Sequence, residues 1–390
     1  MPRRLQPETA EPHAAENHGI FRISKTEAVI AAFLTAFYLV ARFVLSDLLL
    51  LLVAGIGFSL WLTFRASHLA IDGLESLGAF AAMSAYVIGV LSSLASNTPE
   101  AVVTALTTLR GVTTGSLELV EIAVLSVVMA AGFNILLLGI IVLISTRKGG
   151  VLPIPRQVVE DDADLIRWTI VAMALLFVYG VIHYISAIGA ATPPSLIDLP
   201  HWAGLIMVLS YLLYTIWAIK KPATHPRLLA KPAHSKRTSA GLAFLGFLGI
   251  FIAGYVLSGT IELGFEHVPW TTLGIGLTQR IEIMAILIGA AGAIPEHGIA
   301  LLAAAKGKAD IAIGNTLGGT TQILLLIVGG VGMIIPIPLD AAILLQFATA
   351  AGSLWFLKTA ITDDQRIDAF EGAMVLLMQT LVFIILLSPI

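Results

Sequence analysis

Two short segments of this 390-residue chain set a proline and a glutamate inside otherwise apolar sequence: Ser96-Asn97-Thr98-Pro99-Glu100 and Gly292-Ala293-Ile294-Pro295-Glu296. An ionised carboxylate surrounded by hydrocarbon costs at least ~2.5–3.5 kcal/mol, so it persists there only when protonated or when it holds a cation. Two carboxylates balance one Ca2+, which takes about 6–8 oxygen ligands at ~2.3–2.6 Å. The same pair is neutral again when each carries a proton. Further oxygens stand at Asn97, Thr98, Asn134, Thr320, Thr321 and Gln322, and a proline frees a carbonyl by withdrawing its N–H from the helix ladder. The chemistry these residues can support is reversible cation binding in competition with protons. Glu100 and Glu296 would act both as ligands and as proton carriers.

The two segments are copies of one pattern. At an offset of 196 residues, Pro99 coincides with Pro295, Glu100 with Glu296, Arg110 with Lys306 and Gly111 with Gly307. At an offset of 188, Ala131-Gly132-Phe133-Asn134 stands against Gly319-Thr320-Thr321-Gln322, each followed by Ile-Leu-Leu-Leu. A Pro-Glu inside an apolar run, twice, with an amide in the next helix, twice, marks an internal duplication. Glu100 and Glu296 each stand ten residues before a basic residue, or ~15 Å of helix, half the thickness of a bilayer core.

The elements that carry these residues are membrane helices. The chain is 57% hydrophobic and only 12% charged, against about 25% charged in soluble domains, and its mean hydropathy is +0.93. A soluble enzyme is excluded. Runs long enough to cross fall at 28–45, 48–64, 77–109, 120–145, 167–187, 203–219, 239–260, 270–305, 310–335, 338–357 and 371–388. The runs at 77–109 and 270–305 exceed one straight crossing and must be tilted, broken or partly outside the bilayer. No period-two alternation of a barrel is present. The expected fold is therefore an all-α polytopic membrane protein of about eleven transmembrane helices. One N-terminal helix precedes two five-helix repeats. The Pro-Glu helices are third and eighth, an odd number of crossings apart, so the repeats are inverted, and inverted repeats with interrupted helices point to a secondary transporter with a midplane site.

Lys and Arg gather before the first helix, at Arg65, between 147 and 167, between 220 and 237, at Lys306 and Lys308, and at Lys358 and Arg366. The intervening loops carry almost none, with Arg110 as the exception. This alternation places the N-terminus inside and the C-terminus outside. Residues 1–27 read as a polar cytoplasmic tail, 28–219 as the first helix and first repeat, 220–238 as a basic, proline-bearing cytoplasmic linker, and 239–390 as the second repeat. No signal peptide is expected, and a prokaryotic plasma membrane suits the pattern. With no cysteine there is no thiolate metal site or disulfide. The 9 histidines show no metal-ligand spacing, and the net charge of −3 gives no footing for nucleic acid. No cofactor is expected. The partners are inorganic cations, protons and the lipid bilayer, with a homo-oligomer left open.

Taken together, these residues resemble the Ca2+/cation antiporter superfamily. The second copy, Pro295-Glu296-His297 followed by AAAKGKADIAIGNTLGGTTQI, looks most like its cation/proton exchanger branch, which carries Glu-His, then Lys-x-Lys, Asp and a Gly-Ser-x-Gln-like element. The resemblance is strong over 77–145 and 270–335. It implies Ca2+/H+ exchange by alternating access, with Glu100 and Glu296 as central ligands supported by Asn97, Asn134 and Gln322. Two departures bear on the cation. Exchangers usually carry a polar residue three positions before each glutamate; Asn97 supplies it in the first copy, while Ala293 stands in the second. The expected Gly-Ser pair is Gly319-Thr320-Thr321 in the second copy and Ala131-Gly132-Phe133 in the first. Na+/Ca2+ exchange and monovalent cation/H+ exchange are the alternatives.

Plainer roles stand beside these. Asn134 and Gln322 can simply bridge helices. Glu118 and Glu121 belong to an outer, solvated mouth. Arg280 is expected to reach outward from an eighth helix starting near 281, with Glu282 unassigned, and His183 to pack inside the fifth helix. His297 admits a packing or a proton-linked role, on a different side of its helix from Glu296. An intramembrane enzyme would need a nucleophile or a His/Asp metal cluster, and none is evident. A channel would more often repeat as subunits around a pore, and no phosphate-binding loop for an ATP-driven pump is present.

Overall fold

The structure is a computed structural model that describes residues 25–45, 47–81, 93–147, 150–154, 163–187, 198–220, 232–305, 309–337, 339, 341–363 and 365–386. Most of the expected tail and most of the expected linker lie outside the described residues.

The first helix, α1 (Lys25–Phe43), packs on α2 (Leu48–Phe80), whose N-cap Asp47 accepts from the Leu50 N–H at 2.9 Å. Then come α3 (Thr98–Thr114), closed by Gly115 at a φ of 72° where a side chain would be strained, and α4 (Leu117–Thr146), capped by Ser116. The first half ends with β1 (Val151–Pro153), α5 (Ala163–Ala187) and α6 (His201–Lys220). The second half holds α7 (Lys236–His267), α8 (Leu277–Ala305), α9 (Ala309–Gln322), a wide π-turn (Ile323–Ile327) and α10 (Val328–Ile334). It closes with α11 (Ala341–Asp363), β2 (Arg366–Asp368) and α12 (Ala369–Leu386). Since α9, the π-turn and α10 are one continuous rod, the described residues form eleven helical crossings.

Among the described residues, seven helices are long and apolar enough to span a bilayer by themselves, and α6 and α12 are shorter apolar ones. The two helices that carry the Pro-Glu segments, α3 and α8, complete the eleven. Of the two, α3 is a 17-residue helix that buries Pro99, Glu100, Thr104, Thr107 and Thr108, so it is housed among its neighbours.

Packing follows an inverted repeat. α2 lies on α7 and α5 on α11; α4 lies on α12 as α10 lies on α6. Exchanging the halves maps each contact onto itself or onto its partner. Glycine makes the closest approaches possible. A Cβ on Gly139 of α4 would stand 2.8 Å from the Gly372 carbonyl of α12, and one on Gly204 of α6 would stand 2.5 Å from the Gly329 carbonyl of α10. The α4 helix is buried along almost its whole length and forms the pillar around which the others stand.

Three expectations change. The second helix does not stop near 64 but runs to Phe80, because residues beyond Arg65 bury Ala66, Ala70 and Gly73 against α7. The run at 77–109 is not one element: its first residues end α2, and the described part breaks at Asn97. The run at 270–305 is helical only from Leu277, after turns over 270–274. Pro99 marks a real interruption, whereas α8 continues as helix through residue 295.

Candidate cation site

The α3 helix starts inside the protein. Pro99 occupies its first turn, where a missing N–H costs nothing. Asn97 takes the N-cap position yet makes no cap bond. Its Nδ2 instead donates to Gln322 Oε1 of α9 at 2.7 Å, and Ser93 Oγ donates to the same oxygen at 3.1 Å. An asparagine normally caps its own helix; this one ties the two halves together across 225 residues.

Glu100 lies in the first turn of α3, where the positive end of the helix dipole favours a carboxylate, and is only 4% exposed. It rests on α8: a Cβ at Gly292 would stand 3.0 Å from Glu100 Cγ and 3.4 Å from its Oε1. Gly292 precedes residue 296 by one helical turn, so the two Pro-Glu helices meet at their glutamate segments. The side chains of residues 294–296 lie outside the described residues, and Glu296 is placed here by its backbone alone.

On the other side of α8, His297 Nε2 meets Asn134 Oδ1 of α4 at 2.7 Å. As the amide oxygen only accepts, the ring nitrogen donates. One and two turns earlier in α8 stand Ala293, fully buried, and Gly289, where a Cβ would lie 2.7 Å from the Ser126 carbonyl of α4. The remaining expected ligands are held by their own helices. Thr98 donates to the Leu94 carbonyl, Thr320 to the Thr316 carbonyl and Thr321 to the Gly318 carbonyl. Their hydroxyl oxygens keep lone pairs, and Thr320 and Thr321 are buried beside Gln322.

The structure thus unites Asn97 with Gln322, Glu100 with the α8 segment and Asn134 with His297. Ser93 is a site residue that sequence reasoning missed, although it stands one turn before Asn97 on the same face. The π-turn directly after Gln322 was also unforeseen; such turns gather at functional positions in helices. Toward the far ends of α3 and α7, Arg110 pairs with Glu262 and lies 5.0 Å from the centre of the Tyr255 ring. Arg280, expected to reach outward, stands at the start of α8. It is half-buried, with its guanidinium 4.1 Å from the centre of the Phe265 ring, and Glu282 beyond it is buried.

The family model described as sodium/calcium exchanger protein matches residues 48–220 and 238–387, most of the chain. No curated protein is similar enough to match. Among solved structures, native YfkE superposes with a TM-score of 0.66 at 16% identity, over 92% of this chain and 99% of that one. The H+/Ca2+ exchanger CAX gives 0.64 at 14% identity, over 92% and 91%. The sodium-calcium exchanger NCX_Mj gives 0.55 at 17% identity, over 85% and 98%. At these identities the likeness is one of fold.

Proposed function

We propose that this chain, which belongs to the sodium/calcium exchanger family of membrane cation antiporters, exchanges Ca2+ for H+ across a prokaryotic plasma membrane. The observation that carries the reading is Glu100, buried at the start of α3 and packed on the α8 segment that bears Glu296. Two carboxylates converging in a membrane interior are neutral with two protons or with one divalent cation, and costly otherwise. Ligand and proton therefore replace one another at the same oxygens. The cation is substrate, no resident cofactor is needed, and no group here does covalent chemistry. Alternating access would come from α2 and α7 moving as a pair against the other helices. The N-terminus would lie in the cytoplasm and the C-terminus outside.

A second reading, with Na+ as counter-ion or a monovalent cation exchanged for H+, draws on one observation. Ala293 stands where the first copy has Asn97, so the second half lacks that oxygen. Radioactive Ca2+ uptake into proteoliposomes separates these readings, under an imposed pH gradient and then an imposed Na+ gradient. The expected result is uptake driven by the pH gradient and abolished in Glu100→Gln and Glu296→Gln. Uptake driven only by Na+ gives the counter-ion to Na+, and no Ca2+ movement under either gradient rejects Ca2+ as substrate.

A further inference from the structure

The two halves differ in what their amides leave over. Gln322 and Asn134 are equivalent in the repeat, and in each the side-chain oxygen already accepts a hydrogen bond. Gln322 Oε1 accepts from both Ser93 Oγ and Asn97 Nδ2, which uses both lone pairs. Asn134 Oδ1 accepts from His297 Nε2. In the first half the donor is itself an amide. With its NH2 committed to Gln322, Asn97 leaves its Oδ1 buried and, among the described residues, without a hydrogen-bond donor. In the second half, Ala293 occupies the equivalent position and a ring nitrogen one turn later has become the donor. What is left buried there is the Asn134 NH2, which finds no acceptor among the described residues. One half ends with a spare oxygen and the other with a spare N–H donor, which cannot ligate a cation.

We propose that His297 is a positioning residue for the cation site: it occupies the Asn134 oxygen and fixes that amide, so that Asn97 is the one amide that offers an oxygen to the cation. This rests on the exchanger reading above, and it reassigns Asn134 from ligand to a bridge between α4 and α8. Releasing Asn134 from His297 lets the amide turn about its own bond and present its oxygen, so loss of His297 should strengthen cation binding. A merely structural role for the histidine predicts the reverse.

Two measurements on the purified full-length chain test this. The first needs no ion: nitrogen NMR on protein labelled with 15N-histidine, with the His297 signal identified by its loss in His297→Gln. The expected signal is that of a ring protonated at Nε2, and it shifts in Asn134→Leu. A ring whose Nε2 carries no proton overturns the proposal. The second is equilibrium binding of radioactive Ca2+. Asn97→Leu should weaken binding about tenfold, a change equal to ~1.4 kcal/mol, while Asn134→Leu leaves it unchanged. His297→Phe should tighten binding several-fold, and the gain should vanish in His297→Phe/Asn134→Leu. His297→Gln keeps a donor for Asn134 and should bind like the parent chain. Asn134→Leu weakening binding as much as Asn97→Leu would overturn the proposal, even if His297→Phe failed to fold. A parent chain that binds no Ca2+ rejects the Ca2+ reading, and the NMR result alone then decides the role of His297.

Discussion

At the scale of single residues, the decisive contact is that of Glu100 with a glycine. Gly292 leaves room for the carboxylate because it has no Cβ; an added methyl would crowd Glu100 Cγ at 3.0 Å. Overpacking in a filled interior costs ~1–3 kcal/mol, and here the flexible glutamate is the group that yields. Gly292→Ala should weaken Ca2+ binding a few-fold and Gly292→Val should abolish it, both with little change in melting temperature. Isotope binding and a thermal melt check this; a large melting shift with unchanged binding would place the glycine in the scaffold instead. The glutamates and amides were legible in the sequence because polar residues stand out in apolar runs. Ser93 and the His297–Asn134 bond were not. A serine is unremarkable in a membrane helix, and a hydrogen bond spanning 163 residues leaves no trace in local spacing.

At the scale of elements, α2 and α7 form a unit. A Cβ on Gly73 would stand 2.4 Å from the Ala243 backbone nitrogen, and one on Gly246 would stand 2.4 Å from that of Ala70, so the two backbones touch. This unit meets α3 along a line. Gly254 lies against Val102, Thr107 donates to Ser258 at 3.1 Å, and Arg110 pairs with Glu262 near the helix ends. The sequence read Arg110 as a basic residue on the wrong side of the membrane, because its acidic partner is 152 residues away. The pair is part-buried and sits where α7 would slide past α3 in the proposed alternating access. Arg110→Gln should therefore alter the maximal transport rate several-fold while leaving the apparent Ca2+ affinity nearly unchanged. Arg110→Glu/Glu262→Arg should recover part of the rate. Proteoliposome uptake over a range of Ca2+ concentrations separates the two parameters. An effect confined to affinity would move the pair into the binding site. Helix ends were less legible than helix existence. Hydropathy falls at Arg65 although α2 continues, and nothing in Ile-Leu-Leu-Leu distinguishes the π-turn from ordinary helix.

At the scale of the whole molecule, two loop contacts fix which ends of the helices share a face. β1 pairs antiparallel with β2, with Val151 opposite Asp368 and Pro153 opposite Arg366. Between them the chain crosses through α5, α6, α7, α8, the α9–α10 rod and α11, an even number of passages, as two loops on one face require. On the other face the Leu199 N–H donates to the Ile337 carbonyl at 2.7 Å, and again an even number of passages, α6 through α10, separates them. The same-face pairing therefore holds whatever the sign of the membrane, and the positive-inside rule predicts that the Lys and Arg of the β1 and β2 loops lie on the cytoplasmic side. The chain has no cysteine, so single cysteines report without background. Cysteines at Val151 and Arg366 should react with a membrane-impermeant thiol reagent only in inside-out vesicles. Cysteines at Thr114, the exposed last residue of α3, and at Leu273, in the exposed turn after α7, should react only in right-side-out vesicles. Reversal of all four would turn the whole molecule over and leave the fold intact. Val151 and Arg366 reacting from opposite sides would break the even count of crossings, and with it the inverted repeat on which the proposed pairing of Glu100 with Glu296 rests.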